Sequence, residues 1–265
     1  MKEDMKKKGI LVAAAALGCL LSSTAAAAEQ PAAQSYRTMF QQGTFYLEYQ
    51  RDNMNYVLQE QSGERQAKSK GSSKKDRWQT DAIFKNQAFY KYDTDDKNSY
   101  FFRLPAEKMG SPLLNTTEHW EAVKSKLAVP DELSAFDWTD KFSAHAASQK
   151  QPTYAGSSQR TVDGVTYDCD QYLSEIHTQA DTVSGKIAYN MLYQNGKLVK
   201  VQEILLVQDK EVPVDTVNIV QLTDQIPQGS FDFSKPVKVY AAGQGDINEL
   251  LGNKVQVEEL GGTKK

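Results

Sequence analysis

The sequence predicts a mainly antiparallel β protein with one helical insertion, an α+β fold, on three observations. Apolar and polar residues alternate with period two in short runs bounded by Gly, Asn, Asp and Ser. The 26 aromatic side chains are spread through those runs, and one stretch switches to helical spacing. The 265 residues, 40% apolar and 25% charged, suit one large domain or two small ones. A mean hydropathy of −0.59 excludes a polytopic membrane protein, and the aromatic content excludes a largely disordered chain.

Taken in order, residues 29–34 read as a short Ala/Pro/Gln tether, and 44–50 place Phe45, Leu47 and Tyr49 on one face of a strand. Residues 55–61, 77–81, 83–92 and 99–104 repeat the pattern, with Ser62-Gly63, 71–73 and 93–96 as turns, so an antiparallel meander carrying Phe89 and Phe102 is expected. The pattern breaks at about 105–155. Asn115 precedes Glu118 by the capping-box spacing, and Trp120, Val123 and Leu127 recur at i, i+3 and i+7. A helix over 116–128, stopped by Pro130, follows, and 149–159 reads as loop.

Alternation returns with Val165, Tyr167 and Cys169. Residues 186–207 form a hairpin about Asn195-Gly196. A two-residue loop would set Met191 opposite Lys200. A three-residue loop sets Met191 opposite Val199 and Tyr189 opposite Val201, keeping one face apolar, so a bulged turn with Gly196 left-handed is predicted. Another strand covers 216–223, and Phe231, Phe233 and Pro236 punctuate a turn before 237–240. Asp246 caps a terminal turn over 247–251, and 261–265 should fray.

The first 28 residues have the make-up of a secretory signal peptide: basic Lys2, Lys6, Lys7 and Lys8, an apolar run over 10–21, and Ala25 to Ala28 before a cut expected between Ala28 and Glu29. An exported, periplasmic or otherwise extracytoplasmic protein is implied. Cys19 offers a lipid-anchored alternative, against which stands the bulky Leu17 in the preceding Ala16-Leu17-Gly18. Losing four lysines and two acids from 31 basic and 34 acidic side chains leaves a net charge of about −5. No nucleic-acid partner is expected of so acidic a chain. The local exception is Arg65, Lys68, Lys70, Lys74, Lys75 and Arg77, either a solvated lysine-rich hairpin or a contact for an acidic partner or anionic membrane surface.

Catalytic signatures are missing. There is no Gly-x-Ser-x-Gly and no His-Glu-x-x-His, and His119, His145 and His177 lie far apart, so neither a catalytic set, a metal site nor a cofactor is expected. Two cysteines cannot make a disulfide framework or a four-cysteine zinc site. Cys169 cannot use His177 as base along one strand, because eight steps of ~3.3 Å put them about 26 Å apart. A buried, inert thiol is the reading.

The segment from Asp163-Gly164-Val165-Thr166-Tyr167 through the hairpin Ala188 to Val201 and Ile226-Pro227, Phe231, Phe233 and Pro236 resembles the outer-membrane lipoprotein-sorting superfamily, the LolA/LolB-like proteins. The likeness spans about 36–241 in strand order. It implies a strongly curved, unclosed barrel over 35–241, with helices over its concave face and an apolar hollow for acyl chains, followed by a tail over 242–265. On that resemblance a non-enzymatic carrier is expected, its partner a lipid or lipidated protein and its expected state a monomer. Phe45, Leu47, Tyr49, Phe89, Phe102, Trp120, Val123, Leu127, Tyr167, Tyr189 and Met191 would line the hollow, although for any one of them alternation marks a filled core first. The alternative from another class is an envelope interaction or stress-sensor module on the same fold.

Overall fold

Two antiparallel meanders share one sheet. The computed structural model describes residues 28–231, except 53, 73–76, 96–98, 109–116, 146 and 208–209, together with 239–241 and 257–259. The expectations for the leader, Cys19, Lys74, Lys75, the Asn115 cap, Phe233, Pro236, Asp246 and the fraying 261–265 therefore lie outside the described residues, Ala28 of the leader excepted, whereas 257–259 of the expected tail form a strand. Strands β1 (Phe45–Arg51), β2 (Met54–Gln61), β3 (Glu64–Ser72), β4 (Arg77–Lys85), β5 (Ala88–Asp95) and β6 (Ser99–Pro105) form the first meander. The second contains β7 (Thr153–Val162), β8 (Val165–His177), β9 (Val183–Gln194), β10 (Lys197–Val207) and β11 (Lys210–Thr223). β1 pairs with β11, Leu47 opposite Leu222, giving eleven antiparallel strands in the order β6-β5-β4-β3-β2-β1-β11-β10-β9-β8-β7. Three-residue strands β12 (Val239–Ala241) and β13 (Val257–Glu259) add in parallel beyond β6. The sheet is strongly curved and does not close.

Four hairpins turn on two residues with positive φ at both: Ser62-Gly63, Asn86-Gln87, Asp163-Gly164 and Asn195-Gly196. This mirror-image turn matches strand twist, which is why Asn, Asp and Gly populate it. Asn86-Gln87 corrects the expectation of one strand over 83–92. Asn195-Gly196 corrects the three-residue loop: Gln194 pairs with Lys197, and an extra residue at Val199 then sets Met191 opposite Val201 and Tyr189 opposite Glu203. The parity that keeps Met191 and Val201 on one apolar face survives, but a bulge inside β10 secures it rather than the turn.

Residues 29–34 are not a tether. Pro31 opens helix α1 (Pro31–Gln42), at a position where its missing N–H costs nothing, and Gly43 ends it at φ 62° with its N–H on the Phe40 carbonyl at 3.0 Å. Ala33, Met39 and Phe40 are buried, and the Phe40 ring meets Phe45 edge-on at 4.8 Å. Residues 149–159, expected as loop, contain the start of β7, an edge strand whose Ser, Gln and Thr side chains suit partial exposure.

Helix α2 (Thr117–Lys126) falls within the expected 116–128 and buries Trp120 and Val123, with Leu127 just beyond its end. Together with α1, Val129, Leu133, Phe136 and Phe142, these residues cover one face of the sheet, here the inner face, meeting Leu47, Leu58, Ala67, Phe89, Tyr189, Met191 and Val201 in one cluster. Burying each large apolar side chain contributes roughly 1.5–3 kcal/mol. The other, outer face is also buried over the first meander: Ile83, Tyr90, Tyr92 and Phe101 are all 5% exposed or less. The segment leading to Phe231 lies against it, since Lys68 Nζ donates to the Ser230 carbonyl and Phe231 lines a hollow with Gln66 and Ile83.

Candidate ligand cleft

The inner face carries one clear hollow beneath the insertion. Alternation along β3 turns Arg65, Ala67 and Ser69 inward, and two of the three are small. The chain leaving α2 crosses above them. Between floor and roof is a cleft of about 330 Å³, walled by Tyr49, Tyr56, Leu58, Val129 and Phe142, with Ser125 and Lys126 on the helix side. Tyr49 and Tyr56 are cross-strand partners whose rings stack at 4.9 Å and 10°.

Buried ion pairs hold the roof to the floor. Arg65, 3% exposed, gives Nε and Nη2 to Glu60 and Nη1 to the Leu127 carbonyl at 2.8 Å and to Asp140 at 2.6 Å. Asp140 also accepts the Val129 N–H at 2.8 Å, and Lys141 reaches Glu60 at 2.9 Å. The guanidinium lies over the rings of Phe45, at 5.3 Å, and Phe142, at 4.8 Å. Arg51, which lines the cleft, pairs with buried Glu132 at 2.5 Å and with Asp215 at 3.1 Å. Burial pushes the Glu132 carboxyl up to about 7 despite Arg51. Arg65 stands in the sequence as one member of a basic run, and the signal that separates it is its place opposite Glu60 across the Ser62-Gly63 turn.

Of the residues expected in the hollow, only Tyr49 lines it. Phe45, Leu47, Phe89, Trp120, Val123, Leu127, Tyr189 and Met191 belong to the filled core instead, all 6% exposed or less, because the helices and insertion already occupy the space above them. Phe102 alternates with Leu104 onto the inner face but is 36% exposed near the end of the antiparallel array. Tyr167 lies on the outer face, 6.0 Å from Lys200 Nζ, because Tyr172, five residues on, points inward. Cys169 alternates with Tyr167, is buried, and has its thiol pushed up to about 11 by that burial.

Lys68 and Lys70 point away from the cleft floor. They line an outer hollow of about 280 Å³ with Tyr46, Gln79 and Ser230, and Lys68 also belongs to the lining of the cleft. Beside them Asp81 is fully buried and accepts from Gln79 Nε2 at 3.0 Å. Burial pushes its carboxyl up from 3.8 to about 6, against the pull of Lys68. The folded chain therefore binds this proton more tightly than the unfolded one. That contribution to stability is complete below pH 3.8 and is lost as the pH rises through about 6. Asp81→Asn should match the parent near pH 4 and exceed it above pH 7 by roughly 3 kcal/mol. Urea unfolding at the two pH values checks this, and a gain confined to pH 4 contradicts it.

Among the described residues no group of three or more His, Cys, Asp or Glu side chains could hold a metal ion, and no helix is long and apolar enough to cross a membrane. The fold and cleft together define a mostly antiparallel, open-sheet α+β protein with a hollow under a helical insertion. No family model matches the chain, and no curated protein matches its sequence.

Proposed function

We propose that this is an exported, non-enzymatic binding protein that holds the acyl chain of a lipid or lipidated protein in the cleft beneath residues 125–131, on a half-barrel of the lipoprotein-carrier kind. The cleft carries this reading. Its walls are Tyr49, Tyr56, Leu58, Val129 and Phe142, and its size falls within the range of small-molecule sites. Lys126 among its lining supplies a cation suited to a phosphate or carboxylate headgroup. Each methylene taken from water contributes about 0.8 kcal/mol, so six of them supply roughly 5 kcal/mol with no catalytic group.

Titrating the mature chain with a fluorescent fatty acid tests the reading. Saturable uptake near one per chain is expected. A folded protein that takes up none rejects it and leaves the interaction module, which charge reversal at Lys68, Lys70, Lys74 and Lys75 would then probe through loss of partner capture.

A further inference from the structure

The residues that follow the expected cleavage point are fixed to the sheet by buried polar groups. Glu29 is clamped by Arg37 at 2.5 Å and by the Tyr172 hydroxyl, and Arg37 Nη2 also reaches that hydroxyl at 3.0 Å. The Gln30 N–H donates to Asp170 Oδ2 at 2.8 Å. Ser157 Oγ lies between the other Asp170 oxygen and the Ala28 carbonyl, the latter at 3.2 Å, with the Tyr154 hydroxyl at 2.7 Å. Ala28 itself is exposed, while Glu29 and Gln30 are half-buried.

Asp170 is the unusual member. It is 0% exposed, yet its hydrogen-bond partners, Ser157 and the Gln30 amide, are both neutral, and Arg37 is engaged with Glu29 and Tyr172. A buried carboxylate with no cation bonded to it is costly. The Glu29 nitrogen belongs to the residue immediately before the amide that Asp170 already binds. In the intact chain that nitrogen is a neutral amide.

We propose that Asp170, with Ser157, is a receptor for the processed amino terminus of this chain. A leader peptidase adds water across the Ala28–Glu29 peptide bond, leaving a carboxylate on Ala28 and, after protonation, an α-ammonium on Glu29. The Ala28 carbonyl departs from Ser157, and the new ammonium pairs with the Asp170 carboxylate, so removal of the leader completes the packing of α1 on β8. The proposal rests on the leader reading within the proposed function, and it is independent of what the cleft holds.

The test compares the chain beginning at a free Glu29 with the same chain acetylated at Glu29. The free form should melt about 3–6 °C higher, and the difference should vanish in Asp170→Asn. Labelling of the Glu29 amine by an N-hydroxysuccinimide ester, read by peptide mass, should be at least tenfold slower in the folded parent than in urea, and this readout needs no variant to fold. Equal midpoints, or a difference that persists in Asp170→Asn, or full reactivity in the folded parent, overturns the capture while leaving the leader reading intact. Amino-terminal sequencing of the chain made with its leader by an exporting host should give Glu29. Any other first residue overturns the leader reading and the proposal with it.

Discussion

Arg65→Ala is expected to lower the unfolding free energy by about 3–5 kcal/mol. The deleted guanidinium leaves Asp140 without its cation and Glu60 with only the half-exposed Lys141, both carboxylates being less than a tenth exposed, and it frees the Leu127 carbonyl at the end of α2. It also strips a flat, weakly hydrated cation from between Phe45 and Phe142. Arg65→Lys should rescue little, because one ammonium cannot reach two carboxylates and a carbonyl in the geometry of the planar fork. Urea unfolding measures the loss. A decrease below about 1 kcal/mol would mean that apolar packing alone fixes the insertion.

Ser69→Phe is expected to weaken acyl-chain binding by tenfold or more while leaving the thermal midpoint within a few degrees of the parent. Ser69 stands directly opposite Tyr56 on the cleft floor, so a phenyl ring there enters existing space rather than displacing core. Filling the hollow removes the surface an acyl chain would bury, at about 0.8 kcal/mol per methylene. Fluorescent fatty acid titration of the folded variant provides the measurement. Unchanged uptake would place the ligand elsewhere.

Sequence periodicity made β1, β2 and α2 legible, because each has one apolar and one polar face, and the Asn195-Gly196 turn marked the β9–β10 hairpin although β9 is buried on both faces. It failed where that contrast is lost. The Tyr90 and Tyr92 row packs on the outer face while Phe89 packs on the inner, so 83–92 reads as one continuous strand and its Asn86-Gln87 turn is hidden. In β3 the lysines outside and the small Ala67 and Ser69 inside mark a lysine-rich hairpin but no apolar face, so the strand pair was legible while the cleft that those small residues open was not. In α1 alanine and glutamine mask the helical spacing of Ala33, Tyr36 and Phe40. The aromatic alternation located the core, whereas the hollow depends on where the insertion crosses the sheet, a long-range contact fixed by Arg65 and Asp140 with no local signature.

The central claim, an acyl chain held under the insertion, is tested most directly by native mass spectrometry of the protein purified from the cells that make it, followed by solvent extraction of any adduct. The account predicts an acyl-bearing ligand near one per chain in the parent and its loss in Ser69→Phe. A clean apo mass in the parent that persists after incubation with phospholipid vesicles would contradict it.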